Sequence, residues 1–271
     1  MTRLPVALEI TPPRTARTEV LLRRARLLGD RAEAVHVIQR LDRQPSVDAA
    51  IELERHGVIA VWHLVNRGRG TAELEAELAH AARGGLRAAL VVRGEAGPAE
   101  ATPTTPLASL VTRVRAAIRG ARVGVTLNPY LPRERVLANL WPKLEAGASF
   151  VQTQPVFEPG ALEPFAAALR ARAPAARIVP MLIPLLSAAD AETLGHRLRV
   201  PLPERLLREL EDGGEPAGWR WFASLAAELG RSGLADSLAV MTRQADPPKP
   251  FGDRLAAALA GASHSGSPGA R

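Results

Sequence analysis

The 271-residue chain is 46 % apolar and 23 % charged, the balance of a globular protein able to bury a sizeable core, and it has no cysteine, which removes disulfides, thiolate metal sites and cysteine nucleophiles. Its net charge of +7 and pI near 11.0 invite a polyanion reading, but lysine occurs only at 143 and 249 and the arginines are scattered among acidic residues. No basic run is interleaved with aromatics as base stacking requires, so nucleic acid is not expected, while small anionic ligands are compatible with the charge.

Short β-branched runs alternate with longer helical patterns, the mark of parallel strands joined by crossover helices. The chain enters its first strand, Val6 to Ile10, with no basic region, apolar stretch and cleavage site before it, which gives a cytoplasmic expectation. Further strands are expected at Ala34 to Ile38, Ile59 to Leu64, Ala88 to Val92, Arg122 to Leu127, Ser149 to Thr153, Arg177 to Leu182 and Ser237 to Val240. Between them lie helical patterns over Thr15 to Leu28, Ser46 to Arg55, Thr71 to Arg83, Leu107 to Ile118, Arg133 to Glu145, Gly160 to Arg172 and Ala188 to Arg197. Ser46 reads as a helix N-cap, and Leu74, Leu78 and Ala81 form an apolar stripe ended by Gly84-Gly85. Two additional helices, Pro203 to Asp212 and Trp219 to Leu229, precede the last strand. The apolar run Ile178 to Leu186 is broken by Pro180 and Pro184 and is far shorter than the ~20 residues of a membrane span.

Eight strands alternating with helices over roughly 250 residues fit one α/β domain, a single (β/α)8 TIM barrel over residues 1–260 with extra helices before the last strand. A doubly wound open sheet fits the alternation too, but it calls for G-x-G-x-x-G after the first strand, where Glu9-Ile10-Thr11-Pro12-Pro13-Arg14 stands. The Thr-, Pro- and Ala-rich stretch 98–106 reads as a flexible loop after the fourth strand, and the Ser-, Gly- and Pro-rich tail 261–271 as disordered.

In a barrel the chemistry gathers at the C-terminal strand ends. The polar residues there are Glu9, Gln39, His63, Asn66, Arg93, Glu95, Asn128, Gln154 and Arg243. Two carboxylates, several amides and one histidine suit proton transfer and hydrogen bonding to a flat heterocycle, and do not describe a metal cage or a nucleophile triad. His63 alternates with Trp62, so only one of the two faces the barrel interior. A carboxylate at the end of an apolar strand, as Glu9 is, calls for a function or an arginine partner.

These residues resemble those of methylenetetrahydrofolate reductases. Glu9 to Arg14 is similar to the family's opening strand with its acid before a double proline, His63-Leu64 to its H-L-T, and Arg93-Gly94-Glu95 to its R-G-D. The run Lys143-Leu144-Glu145-Ala146-Gly147-Ala148-Ser149-Phe150-Val151-Gln152-Thr153-Gln154-Pro155-Val156-Phe157 resembles the family's K-x-D-A-G-A-x-x-x-x-T-Q segment, and Ile183 to Leu186 and Arg199 to Pro203 resemble its I-L-P and R-I-P segments. The resemblance covers roughly residues 6 to 245 and implies reduction of 5,10-methylenetetrahydrofolate to 5-methyltetrahydrofolate. It makes Glu9 the general acid that opens the folate's imidazolidine ring, Glu95 the carboxylate that stabilises the resulting iminium, Gln154 a pterin ligand and Arg243 the partner of the glutamyl carboxylate. His63, Asn128 and Phe157 join the substrate-binding set, and Gln39, Arg40, Asn66, Arg93 and Lys143, the last expected at the surface, the cofactor-binding set. In the family the hydride passes from a reduced nicotinamide through FAD. Here Ile38-Gln39-Arg40-Leu41 replaces the T-Y-G-A-like turn that receives flavin phosphates, and Leu127-Asn128-Pro129-Tyr130 the A-Y-P-E-like element. The expectation is direct transfer from NADH or NADPH without bound flavin, with an FAD-dependent form and a non-catalytic folate-binding paralogue as the alternatives.

Overall fold

In a computed structural model, which describes residues 2–94 and 105–264, eight parallel strands close into a barrel in simple sequential order. They are β1 (Val6–Ile10), β2 (Ala34–Val37), β3 (Ala60–Val65), β4 (Ala88–Val92), β5 (Arg122–Leu127), β6 (Phe150–Pro155), β7 (Arg177–Leu182) and β8 (Leu238–Met241). Closure is made by β8 lying beside β1, with Val6 opposite Leu238 and Glu9 opposite Met241. Among the described residues nine α-helices surround it: α1 (Thr18–Ala25), α2 (Ser46–Arg55), α3 (Thr71–Arg83), α4 (Leu107–Ala117), α5 (Arg133–Glu145), α6 (Glu163–Arg172), α7 (Ala188–Leu198), α8 (Glu204–Arg231) and α9 (Lys249–Ala258). None is long and apolar enough to cross a membrane.

The strand period of two divides the barrel into an outer and an inner face. Val6, Leu8 and Ile10 of β1, Val35 and Val37 of β2, and Trp62 and Leu64 of β3 point outward and pack with Leu53, Leu74, Leu78, Leu110 and Val114 of the helix ring. Val61, Ala88 and Leu90 form the inner plug with Ala34, Val92 and Phe150. Gly124 of β5 sits opposite Phe150 of β6, and a Cβ there would overlap the Phe150 ring. The glycine makes room for the one aromatic ring that fills the lumen floor.

The predicted helices are present with shifted ends. Ser46 is not the cap of α2: Pro45 is, and the Ser46 amide donates instead to Gln39 Oε1 at 2.8 Å while its hydroxyl donates to the His63 carbonyl. The stripe of α3 is buried as expected, and Gly85 at φ +79 turns the chain after it. The two extra helices are one segment, α8, broken at Gly214, whose backbone (φ 51, ψ −143) leaves helical space. The first half of α8 and α7 cover a second apolar cluster over the ends of β6 and β7, containing Phe157, Ile183, Leu185, Leu194, Leu206 and Leu210. Helix α9 went unrecognised in the sequence pattern, although Pro248 at its N-cap and the buried pair Leu255 and Leu259 at i, i+4 carry its signal. Beyond it Ser263–His264 pairs antiparallel with Thr2–Arg3, so the ordered chain runs past residue 260. Residues 265–271 of the expected tail and most of the 98–106 loop lie outside the described residues.

Gly124→Ala should destabilise the protein by about 1–3 kcal/mol through overpacking of the lumen floor. Urea denaturation should show the loss largely reversed in the Gly124→Ala/Phe150→Leu double variant, because the two sites share one volume. An additive double variant would contradict this packing.

Candidate active site at the barrel mouth

Inward parity selects the site. Glu9 on β1, His36 on β2, His63 on β3 and Gln152 on β6 all face the lumen above the apolar floor, and all four are buried. Trp62, the alternative to His63, is fully buried on the outer face, so the histidine takes the interior. Gln152 Nε2 donates to Glu9 Oε2 at 2.7 Å, and His63 Nε2 lies 3.8 Å from the same oxygen. The His36 and His63 rings stand edge to face with centroids 6.0 Å apart.

Burial sets the protonation states. Desolvation pushes the Glu9 carboxyl up to about 7, against the Gln152 hydrogen bond and the charge of Arg40, which both favour the carboxylate. Desolvation pushes His36 down to about 4 and, with repulsion from His36, His63 down to about 3. At neutral pH the imidazoles are therefore uncharged, and Glu9 is close to half protonated. The Glu9–His63 contact is not an ion pair.

Above Glu9 a cleft opens to the mouth, lined by Thr11, Arg24, Arg40, Arg197, Arg243 and Gln244. Arg243 pairs with Asp190 of α7 at 2.5 Å, which aims its guanidinium at the rim. Gln154 is half-buried near the C-terminal end of β6, beyond a register shift between Gln152 and Pro155 that interrupts the strand's alternation. The site thus brings Glu9, His63, Gln154, Arg40 and Arg243 to one end of the barrel.

The remaining candidates are placed otherwise. Gln39 is engaged by α2, its Oε1 accepting from the Ser46 amide. Asn128 Oδ1 accepts from the Tyr130 amide at 3.0 Å and closes the turn after β5, while the Tyr130 hydroxyl donates to the Pro155 carbonyl at 2.9 Å. Phe157 is buried in the second apolar cluster, and its carbonyl accepts from Trp221 Nε1 at 2.9 Å. Asn66 is wholly buried and donates to the Thr105 carbonyl at 2.6 Å. Arg93 is exposed at the end of β4. Lys143, expected at the surface, is buried, and that burial together with the charge of Arg93 pushes its ammonium down to about 8. Glu95 lies outside the described residues. His36 and Gln152 were missed in the sequence; the signal for both is parity, since His36 is the barrel neighbour of Glu9 and Gln152 shares the parity of the inward Phe150.

A closed eight-stranded parallel barrel with a buried acid below a cationic cleft at its C-terminal mouth is the architecture of barrel enzymes. The chain belongs to the methylenetetrahydrofolate reductase family, whose family model matches residues 2–220. No curated protein sequence matches significantly. Among solved structures, EDTA monooxygenase (EmoA) from Chelativorans sp. BNC1 superposes with a TM-score of 0.60 at 11 % identity, covering 98 % of this chain and 96 % of that one. Tryptophan synthase from M. tuberculosis gives 0.57 at 14 % identity over 98 % and 94 %. These likenesses are of fold alone.

The buried groups make stability depend on pH with opposite signs. Glu9 prefers to be neutral in the fold, so its cost is absent below its ordinary value of 4.5 and grows as pH rises to about 7. The histidines also prefer to be neutral, so the stability they contribute is present above 6.5 and lost as pH falls toward 4 and below. Glu9→Gln should gain stability at pH 8, by at most on the order of 3 kcal/mol, and should steepen the loss between pH 6.5 and 4.5 because the opposing proton uptake is gone. Urea denaturation across pH checks this, and a variant with the wild-type pH profile would contradict the burial argument.

Proposed function

We propose that the protein reduces 5,10-methylenetetrahydrofolate to 5-methyltetrahydrofolate with a hydride taken directly from NADH or NADPH. The observation that carries the reading is Glu9: a carboxyl held near half protonation at neutral pH, at the floor of a cleft on the catalytic end of the barrel. A general acid works best when its pKa is near the working pH, and burial has moved this one there. Protonation of the folate's N10 by Glu9 breaks the bond from N10 to the methylene carbon and leaves an N5 iminium cation. Hydride from the reduced nicotinamide adds to that carbon, giving the N5-methyl group and the oxidised nicotinamide. Glu9, left as carboxylate, takes its proton back from solvent through the cleft. His36 and His63, uncharged, do not compete for that proton. In this reading Gln154 hydrogen-bonds the pterin, Arg243 pairs with the glutamyl carboxylate, and Glu95 stabilises the iminium.

The residues after β2 do not fit a flavin pyrophosphate. Such a group is received by small residues and free amides at a helix N-terminus. Here Gln39 already occupies the first amide of α2, and Arg40 and the wholly exposed Leu41 stand where small residues would be needed. Arg40 remains available to a dinucleotide phosphate. Without a relay, nicotinamide and folate share the mouth, because reacting carbons must come within ~3–3.5 Å.

Two measurements test the proposal. Glu9→Gln should lower kcat by ~10²–10⁴-fold while folate binding stays near wild type, and unchanged turnover with chemistry rate-limiting would remove Glu9 as the acid. NADH oxidation should depend on methylenetetrahydrofolate, be indifferent to added FAD, and give intersecting lines when both substrates are varied. Parallel lines, or FAD copurifying near one equivalent, would sink direct transfer. No oxidation with either nicotinamide, with or without FAD, would leave a folate-binding protein.

A further inference from the structure

Glu9, His36 and His63 come from three consecutive strands, and each presents a ligand atom within 4.8 Å of the other two. His36 Nδ1, His63 Nε2 and Gln152 Oε1 are buried without a hydrogen-bond partner among the described residues. An unsatisfied buried polar atom costs roughly 1–3 kcal/mol, and the two imidazoles stand with the Glu9 carboxyl in one small volume, which leaves a place for a shared occupant. Two neutral imidazoles with one carboxylate are a ligand set for zinc and for non-haem iron, and an amide oxygen is an acceptable addition.

We propose that Glu9, His36 and His63 bind a divalent first-row transition ion, zinc being the probe. Tetrahedral zinc with bonds of about 2.0–2.1 Å holds its ligands about 3.4 Å apart. Glu9 Oε2 and His63 Nε2 are 3.8 Å apart, and no pair in the triad exceeds 4.8 Å. Side-chain rotations that move each atom by ~1 Å or less close the site without shifting a strand. Glu9 also lines the cleft at the C-terminal end of the barrel. The strand-end residues picked out in the sequence include one histidine and so did not describe a metal cage; the closed barrel adds His36 to Glu9 and His63. An ion here occupies the carboxylate that the proposed reaction needs protonated, so the site is inhibitory. That consequence rests on the proposed function; the binding does not.

Chelator-treated full-length protein, titrated with zinc chloride by calorimetry, should take up one equivalent at this site. Cobalt(II) in its place should give the intense visible absorption of a low-coordinate site. His36→Gln and His63→Gln should each weaken binding by more than about 100-fold, beyond the loss expected for outer-shell partners. Thermal midpoints measured in chelator establish that the variants fold, and Glu9→Gln, which keeps the shape and loses the charge, reads the same loss if either does not. No stoichiometric uptake, as expected if water satisfies these atoms, overturns the site, and so does uptake that persists in all three variants. In wild-type protein, inhibition of NADH oxidation following the zinc binding curve supports the inhibitory role. Zinc bound at the triad with turnover unchanged overturns that role and removes Glu9 as the acid, while the site itself stands.

Discussion

A carboxyl inside a closed barrel has to be neutral, paired or bound to something, and Glu9 is where this structure faces that requirement. Desolvation in the lumen outweighs both the Gln152 hydrogen bond and the charge of Arg40, so the group stays near the point where it can hold or release a proton at neutral pH. Everything around it serves that balance. The apolar floor of Val61, Leu90 and Phe150 keeps water from below, and Glu9 lines a cleft at the opposite end. A glycine at 124 is needed for that floor to fit.

The same burial that tunes an acid creates a metal-type ligand set. Neutral histidines beside a carboxyl are compatible with either role, and the two roles exclude each other at the level of one oxygen atom, Glu9 Oε2. The cationic rim of Arg40, Arg197 and Arg243 fits anionic small ligands such as a dinucleotide phosphate or a glutamyl carboxylate. The surplus of arginine elsewhere is spent in surface pairs such as Arg113 with Glu75 and Arg172 with Glu145, worth little each.

Barrel enzymes place chemistry at strand C-termini because the loops there vary freely while the strands hold direction. In this chain the strands carry more of the site than the loops do: Glu9, His36, His63, Gln152 and Gln154 are all strand residues. Loop candidates were drawn into structural tasks, Gln39 as partner of the α2 N-terminus and Asn128 in the turn before α5. Both residue types cap and turn chains as readily as they bind ligands, and sequence offers no means of telling the uses apart.

The sequence by itself determined the eight-strand alternation, the extra helices before the last strand, the family motifs and the acid at the end of the first strand, because period-two and helical apolar patterns and an acid ending an apolar strand are local signals. It determined that one of Trp62 and His63 faces inward; which one depends on how β3 is turned in the closed barrel. The loss of Phe157 to the second apolar cluster depends on helices packed from far along the chain. The meeting of Glu9, His36, His63 and Gln152 depends on barrel closure, since residues 143 positions apart touch only when β6 curves round to face β1. Short-range patterns fix which face a residue takes; only the closed sheet decides which faces look at one another.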